Sequence, residues 1–286
     1  MSIAITAASG RLGHAILREF LRRGQAGDIV AVSRDPARIT IPGIATRAGD
    51  YGSVPRMAEA LAGIDTAIVI SAPVAGGNDR IALHRNVIEA ACEARVRRVI
   101  YTSVIGNGLE METWFGATQK VNRQAEADLE ASGLEWVIGR NALYLELDVI
   151  QMRNAVATGV YSNPAGSGRC SYLGIDEIAV AYAQLAIDRE QAGQIYNISG
   201  EAVTQAQIVA LAAEVFDLDI RYEAVSDEAM LRKFRDLMPE RGEAVALMLA
   251  GCFQAIRAGA FDVPSHYAEA AGRPAKTVRR MLEELR

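Results

Sequence analysis

The first half of the chain alternates between two hydrophobic patterns: short apolar runs suited to strands, and longer stretches with apolar positions at helical spacing. Residues 2–6 read as a strand. Residues 12–23 read as a helix, with Leu12, Ala15, Ile16 and Phe20 on one face and Arg18, Glu19, Arg22 and Arg23 on the other. Gly24 stands where a helix end takes a left-handed residue. Strands follow at 28–33 and, more weakly, at 44–48. Ser53 can cap a short helix running to residue 61, with Pro55 in its first turn. Residues 66–72 form a near-continuous apolar run, as expected of a strand buried on both faces. A helix at 80–94 carries Leu83, Val87 and Ala91 on one stripe. A strand at 98–104, a helix at 117–131 ending near Gly133, and a strand at 134–139 complete the series. This order predicts a parallel sheet with crossover helices, the doubly wound α/β class. Beyond it the rhythm changes. Residues 159–168 read as a loop or hairpin, 175–188 as a helix and 194–198 as a strand. From residue 204 the pattern is mostly helical, with breaks at Pro239, Gly259, Pro264 and Pro274.

Between the first strand and first helix lies Thr6-Ala7-Ala8-Ser9-Gly10-Arg11-Leu12-Gly13. A dinucleotide pyrophosphate needs a turn without bulky side chains, so that backbone amides and a helix N-terminus reach it. Gly10 and Gly13 fall at the last two positions of a G-x-x-G-x-x-G spacing, with Ala7 at the first; Ala7 is expected to be tolerated there if its φ is negative. Thr6, Ala8, Ser9, Gly10, Arg11, Leu12 and Gly13 are therefore candidate cofactor contacts. The second strand ends in Ser33-Arg34 where NAD enzymes place an acid, and an arginine there suits a 2′-phosphate. Arg34 and Ser33 can clamp that phosphate and Arg38 adds charge, so NADPH is favoured over NADH. Asp35, followed by Pro36, reads as the start of a turn. Other strand ends reach the same cleft. Asp50 can accept from an adenine amino group, with Tyr51 beside it. Ser71, Ala72, Thr102 and Ser103 are small or polar where a nicotinamide ribose would pass. His84 reads as a packed core histidine. Asn141 can donate to and accept from a carboxamide or a quinone oxygen, and Tyr144 can donate to a developing oxyanion; these two are the catalytic candidates.

Composition narrows the partners. The 286 residues are 50% hydrophobic and 23% charged, enough for a globular core, and the net charge of −5 argues against a phosphate-backbone binder. Cys92, Cys170 and Cys252, like His14, His84 and His266, are scattered without metal-ligand spacing, so no metal site is expected. The apolar run 66–77 is too short to span a bilayer as a helix. No basic segment followed by an apolar stretch opens the sequence, so a soluble cytoplasmic protein is expected, without nucleic-acid or membrane partners and as a monomer or homodimer.

The segments TAASGRLG, VSRDPAR, GDYGS, HRNVIEAA, VIYTS and SGLEWVIGRNALYLE occur in order, followed by GSGRCSYLGIDEIAVA, GQIYNISGEAVTQAQI and AAGRPAKTVRRML. This set resembles the NmrA-like group of atypical short-chain reductases, above all its quinone-reductase and triphenylmethane-reductase members. The resemblance implies a Rossmann domain over 1–145, completed by parts of 175–198 and binding NADPH. It also implies a smaller, mostly helical C-terminal domain, 146–174 and 199–286, that closes a substrate cleft. It further implies hydride transfer to a quinone or similar flat aromatic acceptor. The Tyr-x-x-x-Lys positions of short-chain dehydrogenases fall here on Thr118 and Asn122, with Lys120 on another side of the helix, so alcohol–ketone chemistry by that dyad is disfavoured. A sugar-nucleotide epimerase is disfavoured for the same reason. The alternative is an NADP(H)-binding redox sensor that regulates a partner without turnover. Trp114, Phe115 and Leu143 are candidate walls for the acceptor, with Trp114 and Phe115 alternatively a plug at the domain seam, and Arg140 is expected to anchor the domain junction by an ion pair.

Overall fold

The computed structural model describes residues 2–74, 78–188 and 190–286; the end of the apolar run, 75–77, lies outside them. The alternation read from the sequence is present: β1 (Ile3–Ile5), α1 (Arg11–Arg22), β2 (Ile29–Ser33), β3 (Ala45–Ala48), α2 (Val54–Leu61), β4 (Thr66–Val69), α3 (Arg80–Glu93), β5 (Arg98–Val104), α4 (Gly116–Glu130) and β6 (Glu135–Asn141). The chain continues through β7 (Leu143–Tyr144), α5 (Leu145–Asn154), β8 (Val160–Asn163), β9 (Arg169–Leu173), α6 (Ile175–Ile187) and β10 (Gln194–Ile198). It ends with β11 (Ala202–Thr204), α7 (Gln205–Phe216), β12 (Arg221–Ala224), α8 (Asp227–Leu237), α9 (Glu243–Arg257), α10 (Tyr267–Ala271) and α11 (Val278–Glu284).

Seven strands form one sheet in the order β10-β6-β5-β4-β1-β2-β3, every pairing parallel. Successive side chains of a strand point to opposite faces, so the sheet divides the core in two. Ile3 and Ile5 join the α1 and α6 side with Ile16, Phe20 and Tyr182. Ala4 joins the α2, α3 and α4 side with Met57, Leu61, Val87 and Leu129. The chain runs outward from β1 through β2 to β3, then returns to β4 on the other side of β1. The β1/β4 boundary is therefore the topological switch point, where a crevice opens outside the carboxyl ends of the strands.

Three readings are corrected. The fourth strand stops at Val69, not residue 72, because beyond it the backbone polar atoms bond to side chains of other elements instead of a neighbouring strand. Residues 159–168 are not a hairpin. β8 pairs in parallel with β12, while β9 pairs with β11 and β7, so the strands flanking the 164–168 turn enter different sheets. β12 was invisible to periodicity because Arg221, Glu223 and Ala224 are exposed and show no apolar alternation. At the far end of the chain, Arg273 and Lys276 pair with buried Glu177 of α6, and Tyr267 donates to the same carboxylate, fastening the C-terminal segment to α6. Burial alone would raise the Glu177 pKa, yet these donors hold it down to about 2.

Candidate functional site

The turn after β1 is fixed by its own backbone: Thr6 N–H donates to Ile68 O, Ala8 N–H to Val32 O and Gly10 N–H to Ala7 O, each at 3.0 Å. Ala7 sits at φ 47°, in the left-handed region, so the condition of a negative φ is not met. The turn must reverse the chain within the span that a glycine usually fills, and the three surrounding hydrogen bonds hold the alanine in that conformation. Gly13 lies flat on the turn, where a Cβ would stand 2.7 Å from Ala8 Cα and 2.9 Å from Ala7 O. Gly10 differs: it is exposed, and a Cβ there would meet only Ala7 O, at 3.3 Å. Its bare face is open to an incoming ligand. Gly10 provides no side-chain cap, the first turn of α1 has no acid, and Arg11 is exposed at its start. That leaves the positive end of the helix dipole uncompensated, a setting suited to a phosphate.

At the end of β2 the Ser33 hydroxyl is buried and bonds to Ser9 Oγ and Asp35 O, both at 3.1 Å. Asp35 accepts from Ala37 N–H and starts a turn, as its sequence context indicated. Arg34 and Arg38 are exposed, and among the described residues neither has an acidic partner. Arg34 lines a shallow recess of about 190 Å³ with Ala48, Gly49, Asp50, Arg56 and Glu59. Asp50 Oδ1 already accepts from Gly52 N–H at 2.9 Å. Arg56 was missed by sequence reasoning. Its position in the first turn of α2, just past the third strand end, was the available signal.

The β4 and β5 ends are built differently. Thr6 Oγ1 donates to Ile68 O (3.2 Å), accepts from Ile70 N–H (3.1 Å) and meets the Tyr51 hydroxyl, which itself donates to Ile70 O (2.8 Å). Thr102 Oγ1 accepts from Ser71 N–H at 2.9 Å, and Ser103 Oγ donates to Glu126 at 2.5 Å. The hydroxyls of Thr6, Tyr51, Thr102 and Ser103 are thus engaged within the protein. Burial pushes the Tyr51 phenol up, despite its contact with Thr6, and keeps it protonated.

At the β6 end, Asn141 Oδ1 accepts from the buried Tyr182 hydroxyl at 2.7 Å, and its Nδ2 points to Tyr144 Oη at 3.4 Å. One lone pair of the Asn141 oxygen thus meets the Tyr182 hydroxyl, which also reaches Gly139 O at 2.9 Å, so the amide keeps both donor and acceptor capacity. Burial pushes the Tyr144 pKa up to about 12 in spite of the Asn141 contact, so its phenol keeps a proton to donate. Arg140 forms the expected ion pair, but with Glu126 of α4 at 2.6 Å, inside the main sheet unit, not across to the later part of the chain. Glu126 also receives Arg123 and Ser103, so one buried carboxylate ties β5, β6 and α4 together. Thr118 is half-buried and Lys120 exposed. Asn122 is buried, accepting from Arg80 and donating to Gln119. Phe115 is 3% exposed and packs edge-on against Phe261 at 5.5 Å. Trp114 and Leu143 are half-buried. Among the described residues no cluster of His, Cys, Asp and Glu could hold a metal, and no helix is long and apolar enough to cross a membrane.

Comparison with known proteins agrees with this geometry. Quinone oxidoreductase 2 of Escherichia coli K12 is 28% identical over 289 residues, covering 99% of this chain and 98% of that protein. The crystal structure of the NADPH-dependent quinone oxidoreductase from Escherichia coli complexed with NADPH superposes with a TM-score of 0.88 at 26% identity, covering 99% of each chain. Triphenylmethane reductase of Citrobacter sp. complexed with NADP(H) superposes at 0.87 and 24% identity, covering 100% of this chain and 99% of that one. The NAD(P)H-binding family matches residues 7–151. With the glycine turn at the switch point of a parallel sheet, these matches place the chain in the NAD(P)H-binding family, among its NmrA-like oxidoreductases.

Proposed function

We propose that the protein is an NADPH-dependent reductase that passes hydride to a quinone or similar flat aromatic acceptor, without a Tyr-x-x-x-Lys dyad. The observation that carries this reading is Gly10's open face at the α1 N-terminus together with the exposed Arg34 and Arg38 at the end of β2, which form no ion pair among the described residues. In this reading the α1 turn holds the pyrophosphate, and Arg34, Arg38 and Arg56 gather around the 2′-phosphate. The cofactor supplies the hydride. The chain's own part is orientation: Tyr144, protonated and directed by Asn141, donates a hydrogen bond to the acceptor oxygen as charge develops there. Thr118 and Asn122 provide no titrating pair, since Asn122 is held by Arg80 and Gln119. The division into a cofactor-binding part (1–145 with parts of 175–198) and a cleft-closing remainder belongs to the same proposal.

The test is NADPH oxidation followed at its absorbance band with a panel of benzoquinones and naphthoquinones. Acceptor-dependent oxidation with hydroquinone formation is expected. NADPH binding with no acceptor turned over would reject the reductase and favour the redox-sensor reading.

A further inference from the structure

Three consecutive residues after β4 leave the sheet with their backbone held almost wholly by side chains. Ile70 N–H and O bond to Thr6 and Tyr51, and Ser71 N–H bonds to Thr102. Ala72 is held from both sides by one helix: its N–H donates to His84 Nε2 at 2.9 Å, and its carbonyl accepts from Arg80 Nε at 2.8 Å. Arg80 is itself braced by Asn122 at 3.0 Å. All of this is interior: Ala72 is 4%, His84 1% and Arg80 9% exposed.

The bond fixes the chemistry of the histidine. Accepting at Nε2 requires the neutral ring with its proton on Nδ1. Burial, and then the charge of Arg80, holds the His84 pKa down to about 4. His84 is therefore no general acid. It is an acceptor for one backbone amide.

The sheet order gives that amide a place along the dinucleotide. β2 carries the arginines, β1 leads into the phosphate turn, and β4 is the next strand on the other side. A dinucleotide crossing the crevice with its adenosine end over β2 brings its nicotinamide half past Ser71 and Ala72. We propose that His84 and Arg80 are positioning residues of the reductase, clamping the two backbone polar atoms of Ala72 so that the 71–73 segment forms a fixed wall against the nicotinamide half of the cofactor. The inference rests on the NADPH reading, and its test separates the two.

The test compares two ligands on wild type, His84→Leu, Arg80→Met and His84→Gln: NADPH, and adenosine 2′,5′-bisphosphate, which carries the 2′-phosphate but no nicotinamide. His84→Leu leaves a buried amide without a partner, so NADPH affinity is expected to fall about ten- to a hundred-fold. The bisphosphate should bind as to wild type. Arg80→Met should show the same split, and His84→Gln, whose side-chain oxygen can accept from Ala72, should recover most of the affinity. Equal losses for both ligands, in either variant, would mean that the clamp merely supports the fold and would overturn the proposal. Unchanged NADPH binding by His84→Leu would overturn it too. If wild type bound the bisphosphate but not NADPH, or neither ligand, the cofactor reading itself would fail.

Discussion

At the end of β2, Arg34 and Arg38 stand exposed, without an acidic partner among the described residues. At the ends of β4 and β5, by contrast, the hydroxyls of Thr6, Tyr51, Thr102 and Ser103 are all bonded within the protein. The first region keeps charge and bare backbone available; the second presents a rigid, satisfied wall. In the proposed reading, the cations after β2 and the open α1 N-terminus would give affinity and choice of cofactor. A wall whose polar groups are already paired gives placement, since little remains free to bond or rearrange.

The largest effect expected on the open side is from Gly10→Val. The Gly10 Cβ direction meets only Ala7 O, at 3.3 Å, so the added methyls project into the crevice and not the core. NADPH affinity should fall at least about a hundred-fold, with the melting temperature nearly unchanged in a thermal scan. Beyond the end of β6, Tyr144→Phe removes the available phenolic donor. It should lower quinone reduction about a hundred-fold, near the lower end of the range for losing an oxyanion donor, with NADPH affinity unchanged in single-turnover assays. Asn141→Ala should cost less, about ten-fold, because Asn141 acts on the acceptor only by aiming Tyr144.

Two buried groups in different parts of the molecule, His84 of α3 and Asp148 of α5, respond to acid with opposite signs. His84 titrates at about 4 in the folded protein against 6.5 unfolded, so stability is complete above pH 6.5 and is lost as pH falls toward 4. Arg80 of α3 and Asp128 of α4 are the charges acting on it, in opposite directions. Asp148 of α5 is buried, which pushes its pKa from 3.8 up to about 6 although Tyr161 donates to it. The folded state therefore takes up that proton first and gains stability as pH falls from 6 to 3.8. Each contributes about 3 kcal/mol over its window, so wild-type stability should change little between pH 6 and 4. Denaturant unfolding should show His84→Gln becoming more stable on acidification and Asp148→Asn less. Equal slopes for the two variants would contradict the assignment. The smallest effect expected is from Ala7→Gly, which relieves the left-handed alanine at φ 47°. It should raise stability by under about 1 kcal/mol, because glycine loses more chain entropy on folding.

The same contrast explains what the sequence made legible. The turn, Gly10, Gly13 and the arginines after β2 could be read because each acts through its own residue type at a fixed distance from a strand end. The strand order could be read because alternating periods leave few topologies. The closed side could not be read, because its partners come together only in the fold: Tyr51 reaches Ile70 across 19 residues, Thr102 reaches Ser71 across 31 and Tyr182 reaches Asn141 across 41. Thr6, Tyr51 and Thr102 stood out as small or polar groups beside the cleft, yet their hydroxyls face inward. Asn141 could be read as a donor and acceptor, but not as one whose oxygen already meets Tyr182. Arg80 carries no local motif, and His84, read as a packed core histidine, gave no sign that its partner is the Ala72 amide.

The most direct test of the central claim, that the β2 side selects the cofactor, is a titration of NADPH and NADH into wild type and Arg34→Ala. A charge-assisted arginine–phosphate contact contributes roughly 1.5–3 kcal/mol, so wild type should prefer NADPH by at least about ten-fold. That preference should shrink toward unity in Arg34→Ala, with NADH affinity unchanged. Equal affinities in wild type, or a preference that survives the substitution intact, would contradict the account.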